Sequence, residues 1–155
     1  IHDIQREVQA LGLIYGYRLD RRELRKSTAE DRKTLDVKAG APVLALTCRH
    51  FTGDAPFCLE DRVINVAAVP SAREADFSEV GPGHWLLQMV PWSAAEHRIR
   101  AVSADRRVAE ALAIPSGTAC LVIERRTWNG PNYITHVTVT YPGDRHELVA
   151  QFLPS

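Results

Sequence analysis

The chain has 155 residues, 45% of them apolar, 25% charged and 7% aromatic, with nineteen Lys and Arg against nineteen Asp and Glu. That is the profile of one ordinary folded domain, and the zero net charge lacks the basic excess that neutralises phosphates in a nucleic-acid binder, so DNA contact by this stretch is not expected. Its longest apolar runs, such as Val66-Ala67-Ala68-Val69, fall far short of the roughly 20 residues that span a bilayer, so no membrane is expected as a partner.

Ile1, Ile4, Val8 and Leu11 recur at three- and four-residue spacing before Gly12, which predicts a helix over about residues 2–11. Tyr15, Tyr17 and Leu19 alternate ahead of a charged run, the pattern of a half-exposed strand over 13–25. Ser27-Thr28-Ala29-Glu30 matches a capping box, with Ser27 as the N-cap of a short helix reaching Asp36. Residues 42–51 and 56–65 flank the turn Thr52-Gly53-Asp54-Ala55 and read as a β-hairpin. The stretch 66–82 is a crossing segment of little periodicity, and a short helix over 83–90 carries Trp85, Leu86 and Met89 until Pro91 ends it. Residues 96–102 form a strand, and Ser103-Ala104-Asp105 caps a helix with apolar positions Val108, Ala111 and Leu112. Three further strands are expected over 118–128, 132–141 and 147–153.

The chain also repeats itself at an offset of 77 residues: Leu35, Val37, Gly40, Leu44, Arg49 and Gly53 correspond to Leu112, Ile114, Gly117, Leu121, Arg126 and Gly130. Each copy reads helix, glycine turn, strand, glycine turn, strand. Two helix-plus-hairpin units imply an α+β fold, a central antiparallel sheet flanked by helices.

Cys48, Cys58 and Cys120 form no CxxC pair and cannot all pair with one another, so neither a disulfide framework nor a zinc ribbon is expected and a reducing, cytoplasmic setting fits best. A start at Ile1 without a charged-then-apolar leader suggests a portion of a longer polypeptide. GxGxxG, GxxxxGK[ST], HExxH and GxSxG are all missing, and the six histidines show no metal spacing, so no cofactor, metal site or catalytic residue is expected.

The polar groups that stand out sit where a buried sheet face is expected. Cys48 and His50 share one face by two-residue alternation, as do Glu60 and Arg62 on the returning strand. A Glu and an Arg so placed can serve one small polar ligand, the guanidinium taking a carboxylate and the carboxylate an N–H. The same pair also suits a structural ion pair or a solvated face. Glu96 and His97, as neighbours on a strand, point to opposite faces and cannot act as an acid–base pair, and Arg125-Arg126 puts one arginine in and one out. Trp85 and Trp128 fit either a core or a stacking wall for a planar ligand.

Several strings, Phe57-Cys58-Leu59-Glu60-Asp61-Arg62-Val63-Ile64-Asn65, Glu96-His97, Ala119-Cys120-Leu121-Val122, Arg125-Arg126-Thr127-Trp128 and Tyr141-Pro142-Gly143-Asp144-Arg145, closely resemble the UTRA effector-binding domain of GntR-type bacterial transcription regulators. The LEDR and RRTW strings narrow the resemblance to the histidine-utilisation (HutC) branch, and it covers residues 1–155 as one ligand-binding domain. It implies a chorismate lyase-like sheet, a homodimer, and a winged helix-turn-helix upstream that contacts operator DNA. It further implies a non-catalytic repressor domain that binds urocanate, or a related small carboxylate, and so releases the operator.

By the same resemblance, sugar-phosphate-sensing relatives carry two arginines where this chain has Cys48 and His50, then a glutamate matching Glu60. Their late-strand Glu and Tyr fall on Thr135 and Tyr141, and their Ser-x-Tyr near His84 and Leu86. Losing the arginines speaks against a phosphorylated sugar. The resulting site is Arg62 for the urocanate carboxylate, Glu60 for the ring N–H, His50, His84, Thr135 and Tyr141 as further partners, and Trp85 as a stacking wall. The alternatives are a chorismate lyase-like enzyme acting on a small aromatic carboxylate, a sensor for a different effector, and a dimerisation module with a vestigial pocket.

Overall fold

Antiparallel pairing of six long strands sets the architecture; the structure is a computed structural model and describes residues 3–155, so Ile1 and His2 of the expected first helix lie outside it. In chain order the elements are α1 (Ile4–Ala10), β1 (Tyr15–Lys26), α2 (Ala29–Leu35), β2 (Pro42–Thr52), β3 (Ala55–Asn65), a 3₁₀ turn (Pro70–Arg73), α3 (Pro82–Met89), β4 (Ala94–Ser103), α4 (Arg106–Leu112), β5 (Ala119–Asn129) and β6 (Asn132–Pro142). The strands make one sheet in the order β1-β2-β3-β6-β5-β4, all neighbours antiparallel, with helices against both faces. The α+β class expected from the sequence is the class observed.

The 77-residue repeat is structural. At that offset α2 falls on α4, β2 on β5 and β3 on β6, residue for residue. The N-caps correspond too: the Thr28 side chain accepts from Asp31 N–H and the Asp105 side chain from Val108 N–H. Both helices end in a left-handed residue, Asp36 (φ 49°) and Ala113 (φ 54°), and both hairpins turn on a glycine at positive φ, Gly53 and Gly130, where a side chain would strain the backbone. The copies meet at the sheet centre, where Asp61 lies opposite Thr138, its own counterpart in the repeat. A local two-fold axis therefore passes between β3 and β6.

Strand alternation sorts the two faces. Leu46, Arg62, Val137 and Arg125 form one row across the sheet, and Cys48, Glu60, Val139 and Ile123 form the next, all on one face. Covering that face, α1 buries Val8 against Ile123, Val137, Val139 and Tyr141, while α3 buries Leu86 among Leu46, Cys48, Ile64 and Phe77. The opposite face carries α2 and α4, the latter tied down by a two-point contact of Arg107 with Asp61.

Two local expectations need correction. The capping box is one residue later than Ser27 and Glu30: Thr28 Oγ1 accepts from Asp31 N–H at 3.2 Å and Asp31 Oδ2 accepts from Thr28 N–H at 2.8 Å. Asp31 is held in that register by Arg25 on β1, and Ser27 instead donates to the Lys38 carbonyl at 2.8 Å. Residues 147–153 form no strand. After the turn at Gly143 the chain crosses α1 instead of pairing with a sheet edge, with His146 Nδ1 2.5 Å from Glu7 Oε1 and Val149 sharing a surface groove with Ala10 and Leu11.

Candidate functional site

Between the sheet face and the helices α1 and α3 lies a cavity of about 360 Å³, whose floor includes His50, Glu60, Arg62, Arg125, Val137 and Val139 and whose walls include Ile4, Gly81, Gly83 and His84. That volume lies within the range of small-molecule sites, roughly 300–1,000 Å³.

A continuous chain of hydrogen bonds runs along the floor. Tyr15 Oη lies 2.7 Å from His50 Nδ1, and His50 Nε2 lies 2.7 Å from Glu60 Oε1. Arg62 Nε donates to Glu60 Oε2 at 2.7 Å, Arg62 Nη1 to Thr135 Oγ1 at 3.2 Å, and Thr135 Oγ1 to the Val63 carbonyl at 2.9 Å. Because a carboxylate only accepts, His50 presents Nε2–H to Glu60, and its Nδ1 then accepts the hydrogen bond donated by Tyr15 Oη–H. Glu60, His50 and Arg62 are almost fully buried, and buried charges of this kind persist only when paired and hydrogen-bonded.

The electrostatics follow from these contacts. Burial alone pushes the Glu60 carboxyl up, but the Arg62 charge and the His50 hydrogen bond outweigh it and hold the group down at about 2, so Glu60 is an anion. Burial, reinforced by the Glu60 charge, raises the Tyr15 hydroxyl well above its ordinary range, and burial pushes the Cys48 thiol up to about 12, so both stay protonated. Burial and then the neighbouring Arg62 charge lower Arg125 to about 10. The floor thus holds two guanidiniums against one carboxylate.

The structure brings four of the seven expected residues, His50, Glu60, Arg62 and His84, to this cavity. His84 Nδ1 lies 3.1 Å from Asp3 Oδ2, which joins α3 to the N-cap of α1 at the cavity wall. Thr135 supports Arg62 and borders a smaller adjoining pocket. Tyr141 is not on the wall: its ring is fully buried, stacked on His146 at 3.9 Å and edge-on to Phe57, with its hydroxyl donating to Glu7 Oε2 at 3.3 Å. Trp85 is not a stacking wall either. It packs edge-on against Phe77, with ring centroids 5.4 Å apart, because the single helical face that buries Leu86 turns Trp85 toward the same core. The aromatic ring beside the smaller pocket is Trp92.

Arg125 completes the floor although strand alternation alone cannot say which of Arg125 and Arg126 faces inward. The register settles it: Arg125 pairs with Val137 on the cavity face, whereas Arg126 on the other face donates to Glu96 at 3.1 Å. Glu96 and His97 accordingly occupy opposite faces of β4 and form no acid–base pair. Among the described residues no group of three or more His, Cys, Asp or Glu could hold a metal ion, and no helix is long and apolar enough to cross a membrane.

Comparison with known proteins agrees with this architecture. The UTRA domain family matches residues 10–147. The chain is 33% identical over 154 residues to the histidine utilization repressor of Pseudomonas aeruginosa, covering 98% of this chain and 61% of that protein. It is 34% identical over 124 residues to the histidine utilization repressor of Pseudomonas putida, covering 80% of this chain and 50% of that protein. It thus spans only about half to three-fifths of the length of these relatives. The crystal structure of the C-terminal domain of histidine utilization repressor from Pseudomonas syringae pv. tomato superposes with a TM-score of 0.84 at 30% identity, covering 91% of this chain and all of that one. PhnF from Mycobacterium smegmatis, at 21% identity, shares the fold with a TM-score of 0.88 over all of this chain and 70% of its own. With the matched sequence, the repeat-built sheet and the helices over its buried-charge face all in agreement, this chain belongs to the UTRA domain family, alongside the C-terminal domains of histidine utilization repressors.

Proposed function

We propose that this chain is the effector-sensing domain of a bacterial repressor of histidine utilisation, and that the effector is urocanate or a closely related small planar carboxylate. The observation that carries this reading is the cavity floor, where a fully ionised Glu60 is clamped between His50 and Arg62 while a second guanidinium leaves an excess of positive charge. A carboxylate matches the excess charge, and an imidazole N–H matches the acceptor edge of Glu60. The two named repressors and the matched C-terminal domain structure support the histidine-utilisation assignment.

The domain acts by binding, not turnover. Glu60 is held too acidic and too firmly bonded to serve as a general base near neutral pH. In the full protein, a DNA-binding domain outside these residues contacts the operator, the protein works as a dimer, and the effector releases DNA through its different affinity for the two states.

Calorimetry and thermal unfolding of the 155-residue chain with urocanate test this. One saturable site and a rise in stability of about 2.7 kcal/mol at a hundred-fold excess over Kd are expected. No heat and no shift with urocanate would overturn it.

A further inference from the structure

We infer that Arg125 is the residue that takes the effector's carboxylate, while the buried Glu60 and Arg62 pair is a fixed platform beside it. This rests on the cavity being an effector site.

Arg62 is already engaged on two of its three nitrogens, and the third is crowded by backbone. Its Nε bonds Glu60, its Nη1 bonds Thr135, and its Nη2 abuts Gly83, where a β-carbon would stand only 3.0 Å away. Arg62 also has its own counterion. An arriving carboxylate would have to compete with Glu60, and two carboxylates sharing one guanidinium repel.

Arg125 stands in the opposite condition. It sits in the same row of the sheet face, with only Val137 between it and Arg62, and it lines both the main cavity and the smaller adjoining pocket. Its side chain makes no hydrogen bond or ion pair with any described residue. Among the described residues, Arg125 Nε is a buried side-chain nitrogen with no hydrogen-bond partner, and it belongs to a residue that lines this cavity. A half-buried guanidinium beside a second one, sharing the field of Glu60 but with no ion pair of its own, is an unfavourable arrangement in an empty domain. A carboxylate that reaches it gains a planar, two-point partner and removes that penalty, so the charge gives selectivity as well as affinity.

The inward-facing Arg125 also defines an orientation. It puts the carboxylate end against β5 and leaves the opposite end of the ligand over the acidic side of the cavity, where the acceptor edge of Glu60 is joined by the lining residues Asp3 and Glu79. A ligand with an acid at one end and N–H donors at the other fits that gradient, and a dicarboxylate does not.

The test uses three forms of the chain, wild type, Arg125→Gln and Arg125→Lys, titrated with urocanate and with its neutral methyl ester. Wild type is expected to bind the acid at least thirty-fold more tightly than the ester. Arg125→Gln is expected to bind both equally, at the ester's affinity, and Arg125→Lys to recover part of the preference for the acid. The empty Arg125→Gln domain is expected to melt at or above the wild-type temperature, since a half-buried charge without an ion pair is gone. Loss of binding together with a lower melting temperature would instead mark Arg125 as structural and overturn the inference. So would unchanged urocanate affinity in Arg125→Gln. A wild-type chain that binds neither compound would overturn the effector reading itself, a different outcome from both.

Discussion

Arg62 Nη2 stands 3.0 Å from the point a β-carbon on Gly83 would occupy. Gly83 lies at the second position of α3, at an ordinary helical backbone, so the glycine is there for space and not for conformation. Alanine would gain about 0.5–1 kcal/mol of helix preference but would push against a guanidinium that Glu60 and Thr135 hold in place. Gly83→Ala is therefore expected to leave the melting temperature within a few degrees while weakening urocanate binding by about tenfold, or about 1.4 kcal/mol. Titration of the variant checks this, and unchanged affinity would mean that Arg62 can move without consequence.

Glu60 links this floor to pH. Its carboxyl lies at about 2 when folded, against an ordinary value of 4.5. A carboxyl depressed on folding binds fewer protons in the native state, so its contribution to stability is fully present above pH 4.5 and is lost as pH falls toward 2. The amount is on the order of 3 kcal/mol. Urea unfolding at pH 6 and at pH 3 is expected to show about 2 kcal/mol of that loss in wild type, the remainder falling below pH 3. Glu60→Gln, which has no charge to lose, is expected to start less stable at pH 6 and to decline less across the same interval. Parallel declines would show that other carboxylates carry the acid sensitivity.

Much of this arrangement is legible in the residues themselves. The 77-residue offset matches α2, β2 and β3 to α4, β5 and β6 and with the hairpin glycines implies an antiparallel sheet flanked by helices, while the two-fold relation of the copies needs the β3–β6 register. Two-residue alternation likewise puts Glu60 with Arg62 and Cys48 with His50. Alternation cannot say how far a face is covered from outside, and that decided the rest. Trp85 and Tyr141 have aromatic rings that suit a ligand or a core equally, and only the packing of Phe77, His146 and Glu7 around them shows the core. Arg125 needed the opposite correction. Its significance lies in partners it does not have, and a missing partner leaves no pattern in a sequence.

The shifted capping box gives a local test. Thr28 and Asp31 satisfy each other's backbone N–H groups, so Thr28→Ala is expected to cost about 1 kcal/mol in urea unfolding. Glu30 is exposed and takes no part in the cap, so Glu30→Ala is expected to stay within about 0.5 kcal/mol. The reverse ranking would restore Ser27 and Glu30 as the capping pair.

Trp85 separates a core aromatic from a ligand-stacking one. Its ring meets Phe77 at 90° with centroids 5.4 Å apart, in the cluster that also holds Leu46, Cys48 and Leu86. Removing the buried Phe77 ring opens a cavity in that cluster, so Phe77→Ala is expected to cost about 3–5 kcal/mol. Trp85→Phe keeps an aromatic edge in the same place and gives up only part of the contact area. Its stability is expected to fall by about 1 kcal/mol, in the range of modest core changes, and its urocanate affinity to change less than twofold, because the ring does not line the cavity. A stacking residue would show the opposite split, with stability held and affinity reduced about tenfold or more, the loss of roughly 1.4 kcal/mol that stacking on a planar ligand supplies.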